Sequence, residues 1–114
     1  MAFDLVWQTG ARQAFDELMA KAQKALDQRR GEGKSTKAEG LFKQVYKCLE
    51  LLAADPRHPG LQTHAYYSLV HPYDKYQKVF EAYAQNRTPG AYRVFWCYGP
   101  EKGQITVLAL TPHP

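Results

Sequence analysis

Residues 91–111, "AYRVFWCYGPEKGQITVLALT", restrict the fold more than any other stretch. Two runs rich in β-branched and aromatic residues flank a five-residue segment that begins at Gly99 and ends at Gly103. This pattern predicts an antiparallel hairpin. With Tyr98 opposite Gln104, Cys97 faces Ile105, Phe95 faces Val107 and Arg93 faces Ala109. Side-chain alternation then puts Arg93 and His113 on one face, about 13 Å apart along the strand from four residues at ~3.3 Å each. A slip of one residue would move them to opposite faces.

The preceding segment carries two conflicting signals. Tyr76, Val79, Phe80 and Tyr83 recur as on a helix face, but the turn "RTPGAY" that follows suits a β-hairpin, with Pro89-Gly90 as the central pair of a type II turn. The part nearest the turn is read as a strand. Further back, "AYYSLVHPYDKYQ" is aromatic and irregular, with the period of neither helix nor long strand, and "RHPGLQTH" is loop chemistry.

The N-terminal half is helical after a short opening strand, "FDLVWQ", whose Phe3, Leu5 and Trp7 share one parity. Thr9 is the expected N-cap of a first helix with Phe15, Leu18, Ala22 and Ala25 on its apolar face. Gly31 and Gly33 in "RRGEGKS" should stop it. Thr36 and Glu39 have the spacing of a capping box, and Phe42, Val45, Leu49 and Leu52 form the stripe of a second helix that Asp55-Pro56 ends. Two helices with one apolar face each and a short connection make an antiparallel hairpin that needs a cover. The expected fold is α+β: a helical hairpin packed on one face of a small, mostly antiparallel four-stranded sheet, with the other face partly open. At 114 residues the chain has the length of one domain, residues 1–114.

Composition narrows the classes of function. The longest apolar stretch is too short for a membrane span, and the N-terminus lacks the basic region of a secretory signal, so a cytoplasmic protein without a membrane partner is expected. Cys48 and Cys97 share no metal-type spacing; they read as reduced packing residues, with a disulfide as the lesser reading. Fifteen Lys and Arg against eleven Asp and Glu give a net charge of +4, which favours acidic partners and also suits an ordinary basic domain. The chain contains no G-x-S-x-G, P-loop or H-E-x-x-H pattern. No cofactor or metal is expected, because His58 and His64 lack a ligand spacing.

Arg93 stands inside an apolar strand. It serves either an ion pair, with Glu81 on a neighbouring strand as candidate, or a bidentate phosphate clamp. His113 sits between Pro112 and Pro114, which stiffen its backbone; it is either a positioned proton-transfer group or a frayed end. His71 reads as a surface histidine without a special role. Tyrosines are dense from Tyr66 to Tyr98, Tyr92 among them. They either line the sheet or stack bases while Arg87, Arg93 and Lys78 hold phosphates.

Together "DPRHPGLQTH", "GAYRVFWCYG" and "ITVLALTPHP" resemble segments of the RelE/ParE toxin superfamily of bacterial type II toxin–antitoxin modules. The "YRV" that opens one strand, with the hairpin to "ITVLAL", is the most specific part. The resemblance implies a strand around Val79 to Tyr83. It also implies a toxin neutralised by a cognate antitoxin. RelE-like members act as metal-independent endoribonucleases on mRNA at the ribosome; ParE-like members inhibit DNA gyrase, and a non-catalytic binding module of the same fold is the third alternative. Carried over residue by residue, Arg93 matches the arginine at the scissile phosphate, His113 a C-terminal proton-transfer group and His64 a catalytic group in the loop before the central strands. The ending "TPHP" departs from the family's aromatic-basic tail, and the lysine-rich loop of one nuclease subgroup is missing.

Overall fold

Capping chemistry sets where the second helix starts. The Thr36 hydroxyl accepts the Glu39 N–H at 3.3 Å, and the Glu39 carboxylate accepts the Thr36 N–H at 2.7 Å. Arg29 also donates to Glu39, through Nε and Nη2, and its Nη1 reaches the carbonyls of Glu32 and Gly33 at 2.7 and 3.2 Å. One guanidinium therefore ties the end of one helix, the glycine turn and the start of the next. The Arg29 guanidinium first, then the Thr36 N–H, hold the Glu39 carboxyl down at about 2.

The computed structural model describes residues 2–86 and 88–113; Arg87 and Pro114, which figure in the sequence reading, lie outside them. The elements are β1 (Asp4–Trp7), α1 (Thr9–Gln28), α2 (Lys37–Ala54), a 3-10 turn (Pro59–Leu61), β2 (His64–Tyr66), β3 (Val79–Tyr83), β4 (Tyr92–Tyr98) and β5 (Gln104–Pro112). They form one sheet in the order β1-β5-β4-β3-β2; β1 runs parallel to β5 and the other pairs are antiparallel. The fold is α+β, with five strands rather than four. The additional strand, β2, has only three residues, too few to show an alternation.

α1 starts earlier than its composition indicates. Its N-cap is Gln8, without a side-chain cap, and Thr9 and Gly10 are already helical. The Gln8 N–H extends the β1–β5 ladder to the Val107 carbonyl, while the Gln8 carbonyl accepts the Arg12 N–H, so one residue ends the strand and begins the helix. Phe15 and Leu18 of α1 and Val45, Leu49 and Leu52 of α2 pack in one core with Val94, Trp96, Ile105 and Val107 of the sheet. Phe42 is only partly buried and stacks on Phe15 across the helical hairpin, at 5.5 Å between ring centroids. In the turn before β4, the Ala91 N–H donates to the Thr88 carbonyl, with Gly90 at φ +67°, as the third position of a type II turn requires.

The β4–β5 register corrects the expected one twice. Tyr98 pairs with Ile105, Cys97 with Thr106 and Trp96 with Val107, a slip of one residue; an irregularity at Phe95/Trp96 adds a second, so Phe95 pairs with Ala109 and Arg93 with Thr111. A strand alternates with period two, so the two slips cancel in parity. Arg93 and His113 keep a common face, and their separation along the strand falls to about 7 Å, two residues at ~3.3 Å.

That second face is partly roofed by the segment between β2 and β3. His71, expected at the surface, is 5% exposed. Its Nδ1 accepts the N–H groups of Tyr73 and Asp74 at 3.1 and 3.0 Å, and its Nε2 donates to the Tyr98 carbonyl at 2.9 Å. The Tyr73 hydroxyl meets Thr106 Oγ1 at 2.9 Å, over an end of the sheet where Thr106 and Cys97 are fully buried. Both cysteines are free, and burial pushes the Cys48 thiol up to about 12 and the Cys97 thiol to about 11. Among the described residues no helix is long and apolar enough to cross a membrane.

Candidate functional site

Beyond the roofed end, the same face carries a cluster centred on Glu81. The β3 segment "VFEAY" buries Val79, Glu81 and Ala82, so a carboxylate lies on an otherwise apolar strand with 3% of its side chain exposed. His64 is the direct cross-strand partner of Glu81, and its Nε2 lies 2.6 Å from Glu81 Oε1. His64 Nδ1 meets the Gln62 carbonyl at 3.3 Å, so each ring nitrogen faces an acceptor.

Arg93 reaches Glu81 from the next strand. It pairs across the ladder with Tyr83, and its guanidinium carbon lies 3.8 Å from that ring's centroid. Nη1 donates to the carbonyls of Gln85, Ala91 and Tyr92, and Nε lies 3.9 Å from Glu81 Oε2, beyond hydrogen-bond range. That Nε and that Oε2 are both buried and lack a hydrogen-bond partner among the described residues. Of the two readings of this side chain, the structure bears on the ion pair with Glu81. The side chain fastens the β3–β4 turn and it faces the carboxylate.

His113 completes the cluster from β5. Its N–H donates to the Ala91 carbonyl at 2.8 Å, which extends the ladder past Pro112 and anchors the backbone. Its Nδ1 is 3.4 Å from Glu81 Oε2, and about half its side chain is exposed, as for His64. One buried carboxylate is therefore bracketed by a buried guanidinium and two imidazoles that reach solvent. The Tyr83 ring lies between, edge-on to His64 at 5.6 Å.

The three residues proposed as catalytic from sequence, Arg93, His113 and His64, meet at one point. Of the proposed RNA contacts, Tyr92 and Lys78 do not join them. Tyr92 packs against the helix-side core, Lys78 is exposed just before β3, and Arg87 lies outside the described residues. Sequence reasoning missed Glu81 as the hub and had it only as a possible ion-pair partner for Arg93. The available signal was a single acid at an inward position of an apolar strand. Among the described residues no group of three or more His, Cys, Asp or Glu side chains is arranged to hold a metal ion.

No protein-family model matches the chain, and no curated protein matches its sequence. Solved structures do match. The YoeB/ParE toxin from Agrobacterium tumefaciens superposes with a TM-score of 0.62 at 8% identity, over 97% of this chain and 99% of that one. A copper-bound mutant toxin from Helicobacter pylori gives 0.50 at 16% identity, over 97% and 94%. The chain has the RelE/ParE-like toxin fold. At these identities the likeness is one of fold.

Proposed function

We propose that the protein is the toxin of a type II toxin–antitoxin module and that the Glu81 cluster cleaves mRNA on the ribosome without a metal. The observation that carries this reading is the convergence of His64, His113 and Arg93 on one buried carboxylate, within 2.6 to 3.9 Å. Scission needs a base for the 2′-hydroxyl, an acid for the leaving 5′-oxygen and positive charge at the phosphate. The 2′-oxygen attacks the adjacent phosphorus, the bond to the 5′-oxygen breaks, and the products are a 2′,3′-cyclic phosphate and a 5′-hydroxyl. One imidazole accepts the first proton and the other gives one to the leaving oxygen, which for His64 requires its Nδ1 to leave the Gln62 carbonyl. Arg93 supplies the positive charge at the phosphate through the part of its guanidinium that its backbone contacts, all made by Nη1, leave over. Glu81 holds both imidazoles in place. The cluster is shallow and lies on an open sheet face, so positioning of the strand falls to the ribosome.

A cognate antitoxin is the expected protein partner and the cytoplasm the site of action. The short edge strand β2 and the exposed Met19 and Leu26 on α1 are surfaces for such a partner to cover. The second reading is gyrase inhibition without catalysis. It is favoured by the use of Arg93 Nη1 on three backbone carbonyls, which is a structural duty.

Purified protein added to translating ribosomes should yield mRNA fragments ending in 2′,3′-cyclic phosphate. His113→Ala should lower the rate about 10²–10⁴-fold, as loss of a proton-transfer group does. Arg93→Ala should also slow it, and both variants should still bind the antitoxin. Intact mRNA together with blocked supercoiling of relaxed plasmid by gyrase would replace the nuclease reading with the second one.

A further inference from the structure

Five large apolar side chains stand exposed on one closed loop. Residues 67–78 leave β2 at Tyr66 and enter β3 at Val79, and those two residues are paired neighbours in the sheet. The loop is therefore closed at its base, a form in which loops of this length frequently carry function. Along it Tyr67 is 84% exposed, Val70 74% and Tyr76 86%, with Leu69 and Tyr73 exposed to a lesser extent.

Exposed apolar side chains are ordinary where they are scattered singly. Here they are gathered on a backbone that is held in place without helix or strand. Buried His71, in the middle of the loop, donates to the Tyr98 carbonyl and accepts the N–H groups of Tyr73 and Asp74. The Tyr73 hydroxyl is bonded to Thr106. The Asp74 carboxylate accepts the Tyr76 N–H at 3.0 Å and the Gln77 side-chain amide at 3.3 Å. Tyrosines presented in this way give a large contact area at a low cost in conformational entropy. Taking ~150–250 Å² for a whole aromatic side chain, the five offer about 600 Å², at the top of the range for the largest apolar patch on a monomer.

We propose that this loop is the interface of a two-fold dimer of the chain. Two copies bury about 1,200 Å² between them, above the ~1,000 Å² that a specific interface needs. Charge selects this occupant over others. The chain carries a net charge of +4, yet the rim of the loop has both signs. Asp74 and Glu101 stand there with Lys75, Lys78 and Lys102, and Asp74, Glu101 and Lys102 line one shallow cavity beside Tyr73. A polyanion or an anionic lipid surface meets the two acids, and a basic partner meets the lysines. A two-fold axis through the loop sets the acids of one copy opposite the lysines of the other, so the surface complements itself. The loop covers the sheet face opposite α1 and α2, which leaves Met19 and Leu26 free for a different partner.

Sedimentation equilibrium of the purified full chain should show a reversible monomer–dimer transition with a dissociation constant of about 10–100 µM, in keeping with an interface near the small end of the specific range. Val70→Glu places like charges from both copies in the interface and should raise that constant at least about tenfold. Tyr76→Ala should raise it as well. Both positions are exposed, so at about 1 µM, where every form is monomeric, the variants should melt with the wild type. Met19→Glu, at an exposed position on α1, should leave the dissociation constant unchanged. A wild-type chain that stays monomeric throughout would overturn the proposal. So would a Val70→Glu chain that dimerises like the wild type, or loss of the dimer in Met19→Glu, which would move the interface to the helices. A monomer that sediments with anionic phospholipid vesicles would also overturn it and assign the loop to a lipid surface. The assay contains neither RNA nor ribosome, so its outcome is independent of the nuclease reading.

Discussion

Arg93 shows how one side chain combines backbone anchoring with contact to a buried carboxylate. Its Nη1 donates to three backbone carbonyls around the β3–β4 turn, of which those of Ala91 and Tyr92 also accept backbone N–H groups, while its Nε faces the Glu81 carboxylate. Only a planar fork with several donors can do both, so lysine is not an equivalent. Arg93→Lys keeps the charge and loses the fork. It should lower stability by about 1–3 kcal/mol, the cost of leaving the Gln85 carbonyl without its donor, as read from the shift of a denaturant midpoint. Under the proposed nuclease function, cleavage should fall further than that stability loss explains. A variant with unchanged midpoint would show that the Gln85 carbonyl finds another donor.

The helical hairpin is closed by an ionic knot. Glu39 caps α2 and receives Arg29 from the end of α1. Its pKa in the folded protein is lowered to about 2 from 4.5, chiefly by the Arg29 hydrogen bond. A lowered folded-state value means the unfolded chain binds the proton more readily. The contribution to stability is therefore complete above 4.5 and is lost as the pH falls towards about 2. Glu39→Gln should remove this part of the acid dependence, so that melting temperatures of variant and wild type converge at the acid end of that window. Parallel curves across the window would place the acid sensitivity in other carboxylates.

For the molecule as a whole, stability depends on one layer of helices against one sheet. Leu49 is 5% exposed and lies in the core shared by α1, α2 and the sheet. Leu49→Ala should cost about 2–5 kcal/mol through lost burial and the cavity left behind. The denaturant midpoint should drop while the slope stays unchanged, since the surface exposed on unfolding is nearly the same. A midpoint equal to wild type would mean the two layers repack around the gap. The second sheet face behaves differently. One end is roofed through His71 and Tyr73, and the other is left open at Glu81. This division leaves the two imidazoles of a polar cluster half exposed over its buried carboxylate and guanidinium.

Local chemistry was enough to place most elements. The capping box at Thr36 and Glu39, the apolar stripes of the two helices and the glycine-bounded β4–β5 hairpin act over a few residues, and each carries its own signal. The strand at Val79–Tyr83 was harder, because its aromatic spacing also suits a helix; the adjacent turn was the better guide. Three residues of β2, the Gln8 junction and the burial of His71 depend on partners far along the chain, and nothing local announces them. The site divides in the same way. Arg93, His64 and His113 stand out as polar groups in or beside strands. Their meeting at Glu81 follows from two register slips that cancel in parity and from β2 joining the edge beside β3. Pairing across strands is decided by the packing of the whole sheet, so only the tertiary structure brings these four residues within reach of one another.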